Sequence, residues 1–278
     1  MLKAACSLII CFMRDHVVPC LGLSGHSSTA RLILRQVLLL TIVVGTGFSA
    51  YAEGVVCTKI FSQEAAPYIT ERVAKNKFVT DRHLLDYSKE LHPDFKNKVE
   101  SLRAEQHWVD LGAGKATAQI DLIKSFDDKS QAPFATAVAF KLDRWFAPRS
   151  YNGKLKVAEG AYELQPTAAW KKADLVTDVY GVLSYTGELG VALQKTFDMM
   201  TVGGELYILT LPYGTQIQRG ENKLVLTEFL KTVPGIKVDG DNIQIKITKT
   251  HENIFVPSLR MVRYTDGGPP LRLFEIIP

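Results

Sequence analysis

The residues best suited by type and spacing to do chemistry are Asp110-Leu-Gly112-Ala-Gly114-Lys-Ala116. Small residues between a strand and a helix let the backbone approach a ligand closely, and the helix N-terminus offers free N–H groups. Without a ligand, the same segment reads as an ordinary strand-to-helix connection. Asp178 and Tyr180 follow in Asp174-Leu-Val-Thr-Asp-Val-Tyr-Gly-Val-Leu-Ser-Tyr185, and Asp143 stands in Phe140-Lys-Leu-Asp-Arg144. For Asp143 the plainer alternative is a surface pair with Arg144; for Tyr180 and Tyr185 it is aromatic packing. His251 is a lone histidine of the kind that is more often structural or at the surface. Neither Cys-x-x-Cys nor a zinc-like Cys/His cluster occurs, so no metal site is expected.

These residues need a frame, and the hydrophobic pattern supplies one. Buried strands are expected at 107–111, 135–140, 154–158, 174–178 and 205–211, the last after a Gly203-Gly204 turn. Helices fit at 115–126 and 187–201. Such alternation predicts an α/β fold, a mostly parallel sheet covered on both faces. A helix is expected at 222–232 and a half-exposed strand at 242–248. Residues 259–264 and 271–276 read as antiparallel additions to the sheet edge. Residues 62–105 are expected to form an amphipathic helical cap, broken at Pro93.

With its strand and helix in place, Val109-Asp-Leu-Gly-Ala-Gly114 resembles the first motif of the class I S-adenosylmethionine-dependent methyltransferases: an acidic residue, one spacer, then Gly-x-Gly-x-Gly. Ala116 replaces the third glycine. The resemblance covers residues 106–211 well and the last strands more loosely. It implies a Rossmann-like, mostly parallel seven-stranded sheet with an antiparallel edge, the final strand inserting antiparallel. It places Asp110, Gly112 and Gly114 around the methionine part of S-adenosyl-L-methionine. Asp143 would bind the ribose hydroxyls, a task suited to a carboxylate because it accepts two hydrogen bonds. Asp178 and Tyr180 would lie beside the reacting methyl. The family's acid near the adenine is replaced by Ala161, leaving Glu163, the Tyr162 ring or backbone alone for that role. Asp178 and His251 are the candidate bases. An NAD-dependent oxidoreductase is the weaker reading, because Gly112-x-Gly114-x-Ala116 is not the Gly-x-Gly-x-x-Gly fingerprint.

The composition sets the remaining expectations. Of 33 basic and 29 acidic side chains, the first 52 residues hold Lys3, Arg14, Arg31, Arg35 and Asp15, leaving a nearly neutral body. That balance argues against nucleic acid as partner and leaves a small-molecule substrate as the expectation. Arg31 and Arg35, the apolar run 37–44 and Ala50-Tyr-Ala52 predict a secretory signal cut between Ala52 and Glu53. The expected divisions are a leader over 1–52, the helical cap over 53–105 and the methyltransferase-like domain over 106–278. The protein is then exported, periplasmic or secreted, or membrane-anchored if the leader is retained. Export away from the cytosolic cofactor leaves open a non-catalytic binding module on the same scaffold.

Overall fold

The computed structural model describes residues 81–140, 151–265 and 271–277. The leader, the first part of the expected cap and Asp143 lie outside these residues.

Two short helices come first, α1 (Leu84–Glu90) and α2 (Asp94–Glu100). They part at Pro93, which cannot continue α1 and whose φ of −52° suits the start of α2. The alternating region follows as β1 (His107–Leu111), α3 (Thr117–Ser125), β2 (Phe134–Ala139), β3 (Leu155–Glu159), β4 (Ala173–Val179), α4 (Val182–Tyr185), α5 (Leu189–Met199) and β5 (Met200–Leu209). The last part holds β6 (Thr215–Arg219), β7 (Asn222–Val225), α6 (Leu226–Leu230), β8 (Ile236–Gly240), β9 (Gln244–Lys249), β10 (Leu259–Thr265) and β11 (Leu271–Ile276).

Seven strands form one sheet in the order β3-β2-β1-β4-β5-β9-β8. β1 to β5 pair in parallel, and β9 enters antiparallel between β5 and β8. The fold is therefore α/β and Rossmann-like, with its last sheet strand inserted antiparallel. Asp110 of β1 lies opposite Thr177 of β4, which lies opposite Tyr207 of β5. With period-two alternation, Trp108, Asp110, Leu175, Thr177 and Tyr207 share one face, while Val109, Leu111, Val176, Asp178 and Ile208 share the other.

Each face has its own core. Tyr87, Phe95 and Val99 of the first two helices, with Leu91 between them, pack with Trp108, Leu175 and Tyr207 on the first face. Phe95 is fully buried there, so its truncation to alanine costs about 3–5 kcal/mol. The opposite face is covered by Leu189, Leu193 and Phe197 of α5 and by Phe229 and Leu230 of α6.

Several expectations need correction. Residues 259–264 and 271–276 do not extend the main sheet. They belong to a second, four-stranded sheet ordered β10-β11-β6-β7, in which β11 runs parallel to β6. Its Ile217, Leu259 and Phe274 are buried in the core of the second face. Gly203-Gly204 is not a turn before β5 but lies inside it, at a shift of register opposite Ala173 and Leu175. The helix expected over 222–232 is a strand followed by the short α6. Among the described residues, no helix is long and apolar enough to cross a membrane.

Candidate functional site

The loop after β1 is built by backbone that few side chains tolerate. Gly112 has φ 108° and Gly114 φ 54°; Ala116, just before α3, has φ 58°. The N–H groups of Gly112 and Ala113 both donate to the carbonyl of Val138, each at 2.9 Å, which ties the loop to β2. Helix α3 starts immediately after, so the N–H groups of its first turn have no intrahelical acceptor. Ala116 thus holds a left-handed geometry that favours glycine, the residue expected at this position of the motif.

Asp110 sits beneath this loop and is 1% exposed. Its Oδ2 accepts the Tyr87 hydroxyl proton at 2.7 Å, and its Oδ1 accepts from the Thr177 hydroxyl at 2.8 Å. Thr177 Oγ1 in turn accepts from the Trp108 indole N–H at 2.9 Å. Burial pushes the Asp110 carboxyl up to about 6, against the opposing pull of the two hydroxyl donors and of the Arg82 charge. Both Asp110 oxygens are engaged by protein, so its position is that of a strut under the loop.

The end of β4 meets the same loop from the side. A Cβ built on Gly112 would lie 2.6 Å from Cα of Gly181, and one on Gly181 would lie 1.8 Å from the carbonyl oxygen of Leu111. Tyr180, one residue earlier, has φ 47° and is a strained non-glycine residue at the C-terminal edge of the sheet. Asp178 is wholly buried on the second face; its Oδ1 accepts from the Leu183 N–H at 3.2 Å, and its Oδ2 has no partner among the described residues. Burial, aided by the nearby charge of Asp110, pushes the Asp178 carboxyl up to about 8, so it carries its proton at neutral pH.

Two contributors escape a reading of the sequence. Arg82, just before α1, holds its guanidinium 5.4 Å from the centre of the Tyr180 ring and near Glu90, at 3.6 Å. Tyr87 was readable as an apolar helix position but not as the donor to Asp110. Nothing local marks either, because the site residues they act on, Asp110 for Tyr87 and Tyr180 for Arg82, lie far along the chain. Thr177 offers the one signal, a polar residue on the same strand face as the buried Leu175 and Val179.

The remaining candidates fall elsewhere. Tyr162 is 1% exposed, and its hydroxyl lies 3.1 Å from Thr196 Oγ1 of α5, so its ring belongs to the core. Glu163 is partly buried and its carboxylate accepts from the Thr186 hydroxyl. His251 follows β9, whose C-terminal end pairs with the N-terminal half of β5. That puts it at the opposite sheet edge from the loop, which removes it as a base. Among the described residues no cluster of three or more His, Cys, Asp or Glu is gathered as a metal site requires.

No protein-family model matches the chain, and no curated protein matches it. Solved structures similar to it include an rRNA methylase from Streptococcus thermophilus, at 13% identity and TM-score 0.38, covering 58% of this chain and 96% of that one. TrmN from Thermus thermophilus is similar at 11% identity and TM-score 0.38, with 57% and 48% covered. A geranyl diphosphate methyltransferase solved with GPP and sinefungin is similar at 12% identity and TM-score 0.32, with 45% of each chain covered. These likenesses are faint, and the description of the fold rests on the strand order. The order β3-β2-β1-β4-β5-β9-β8, with β9 antiparallel, is the Rossmann-like seven-stranded sheet that the resemblance at Val109–Gly114 implied.

Proposed function

We propose that the protein is an S-adenosyl-L-methionine-dependent methyltransferase acting on a small molecule. The observation that carries this reading is the meeting of two strained loops, at Gly112–Ala116 and at Tyr180–Gly181, over the C-terminal ends of adjacent strands β1 and β4. Open α/β sheets bind ligands at that edge, and non-glycine residues held at positive φ there are a mark of function.

The residues present fit this cofactor. Gly112 and Gly114 give the loop the left-handed turns that would bring its backbone to the methionine part, and the unpartnered Asp178 Oδ2 stands at the same edge. Arg82 is placed to hold the amino-acid carboxylate, a match of guanidinium to carboxylate. The cofactor supplies an activated methyl group and its own leaving group. The protein's part is then to orient the acceptor and to manage one proton. Asp178, its carboxyl raised to about 8, holds its own proton at neutral pH and becomes a base for a substrate hydroxyl or amine only as pH rises toward 8. The ribose position falls to Asp143, and Tyr180 lines the acceptor side.

A binding module without turnover is the second reading. It is favoured by Ala161 standing where an adenine acid is expected and by the burial of Tyr162 in the core. A methylation assay with labelled donor and a panel of small acceptors separates the two: methyl transfer supports the enzyme, and donor binding without transfer supports the module. We propose further that the protein is exported through its leader, which cell fractionation tests.

A further inference from the structure

We propose that Tyr87 is a positioning residue for the cofactor loop, acting through the Asp110 carboxylate. This rests on the methyltransferase reading and adds α1 to the machinery of its site.

Asp110 stands two residues before Gly112, where the chain turns against Gly181. Its carboxylate is held from two sides: from β4 by Thr177 and from α1 by Tyr87. The Tyr87 ring cannot swing away. It is 3% exposed and packed edge-on against Trp108, with 6.1 Å between centroids, and 6.1 Å from Phe95. Burial and the Asp110 charge raise the Tyr87 hydroxyl well above its ordinary value, so it remains a donor at any working pH. Helix α1 follows two residues after Arg82, which lies over Tyr180. The short segment from Arg82 to Tyr87 therefore contacts the ends of both β1 and β4.

A wholly buried carboxylate stays ionised only while donors compensate it. Without the Tyr87 hydroxyl, Asp110 keeps one donor and takes up a proton at higher pH. The loop then loses both its second tether and the negative charge beneath it. A ligand carrying an ammonium group, as S-adenosylhomocysteine does, loses affinity when that charge goes.

The test is calorimetric titration of the full chain with S-adenosylhomocysteine between pH 5 and pH 8, for wild type, Tyr87→Phe and Thr177→Val. Tyr87→Phe keeps the ring packing and removes only the hydroxyl. Wild-type affinity is expected to fall as pH drops through about 6. In Tyr87→Phe that fall moves to higher pH, and affinity at pH 7 drops about tenfold, the size of a lost hydrogen bond to a charged group. Thr177→Val, which removes the other donor, shifts the profile the same way and carries the test if Tyr87→Phe does not fold. A Tyr87→Phe profile that overlays wild type overturns the proposal. If the wild-type chain binds no S-adenosylhomocysteine at any pH, the methyltransferase reading itself fails, and the proposal falls with it.

Discussion

Gly112 and Gly181 touch backbone to backbone: a Cβ on the first would stand 2.6 Å from Cα of the second. This contact joins the loop after β1 to the loop after β4. Neither residue tolerates a side chain, for different reasons. Gly112 has φ 108°, whereas Gly181 has an ordinary φ of −102° but faces the Leu111 carbonyl.

Gly181→Ala is expected to force the two loops apart. Overpacking of this kind costs about 1–3 kcal/mol. Urea denaturation measures the loss, and S-adenosylhomocysteine binding should weaken in the same variant. Unchanged stability and binding would mean the loops are not held in this contact.

Ala116 tests the strain at the motif's missing glycine. Its left-handed φ costs about 1–2 kcal/mol relative to a right-handed residue. Replacement by glycine relieves that, but gives up a buried methyl worth about 0.8 kcal/mol and adds unfolded-state freedom worth about 0.5–1 kcal/mol. These effects nearly cancel, so Ala116→Gly should match wild type in thermal unfolding. Ala116→Val adds branching at a strained, 1% exposed position and should lower stability clearly.

The buried carboxyls set a pH dependence. The folded Asp178 keeps its proton to about 8, far above the ordinary aspartate value of 3.8 that the unfolded chain follows. Its contribution to stability is therefore fully present below about pH 4 and is lost as pH rises through about 8. Each unit of difference is worth about 1.4 kcal/mol before relaxation reduces it. Asp178→Asn carries no titrating proton, so chemical denaturation at pH 5 and pH 8 should show a smaller loss of stability in the variant than in wild type. Equal losses would place the proton elsewhere.

Arg82 gives a ligand-resolved test. If it holds the amino-acid carboxylate, Arg82→Gln weakens S-adenosylhomocysteine about tenfold, the scale of one charge-assisted hydrogen bond. Affinity for 5′-methylthioadenosine, which lacks that carboxylate, stays as in wild type. Equal weakening of both ligands would point to a general disturbance of the loop instead.

The central part of the fold was legible in the sequence because its signals are local. β1 is a run of five buried residues ending at a glycine turn, and Gln244–Lys249 alternates as a strand with one buried face. The second sheet was not legible, because β6 finds its partner β11 more than fifty residues later. Arg272 illustrates the difficulty. On an alternating strand it reads as a surface charge, yet it is 1% exposed and donates to the carbonyls of Leu183 and Thr186, each at 2.6 Å. It thereby ties the second sheet to α4 beside Asp178. Of the site, the loop and the end of β4 could be read from spacing. The α1 contribution could not, since Tyr87 and Arg82 act on partners brought near only by the fold.

Calorimetric titration of the wild-type chain with S-adenosyl-L-methionine, and in parallel with NAD, tests the central claim most directly. The site built at Gly112–Ala116 and Tyr180–Gly181 predicts saturable binding of S-adenosyl-L-methionine at one site per chain and no heat with NAD. Absence of binding to S-adenosyl-L-methionine would contradict the account.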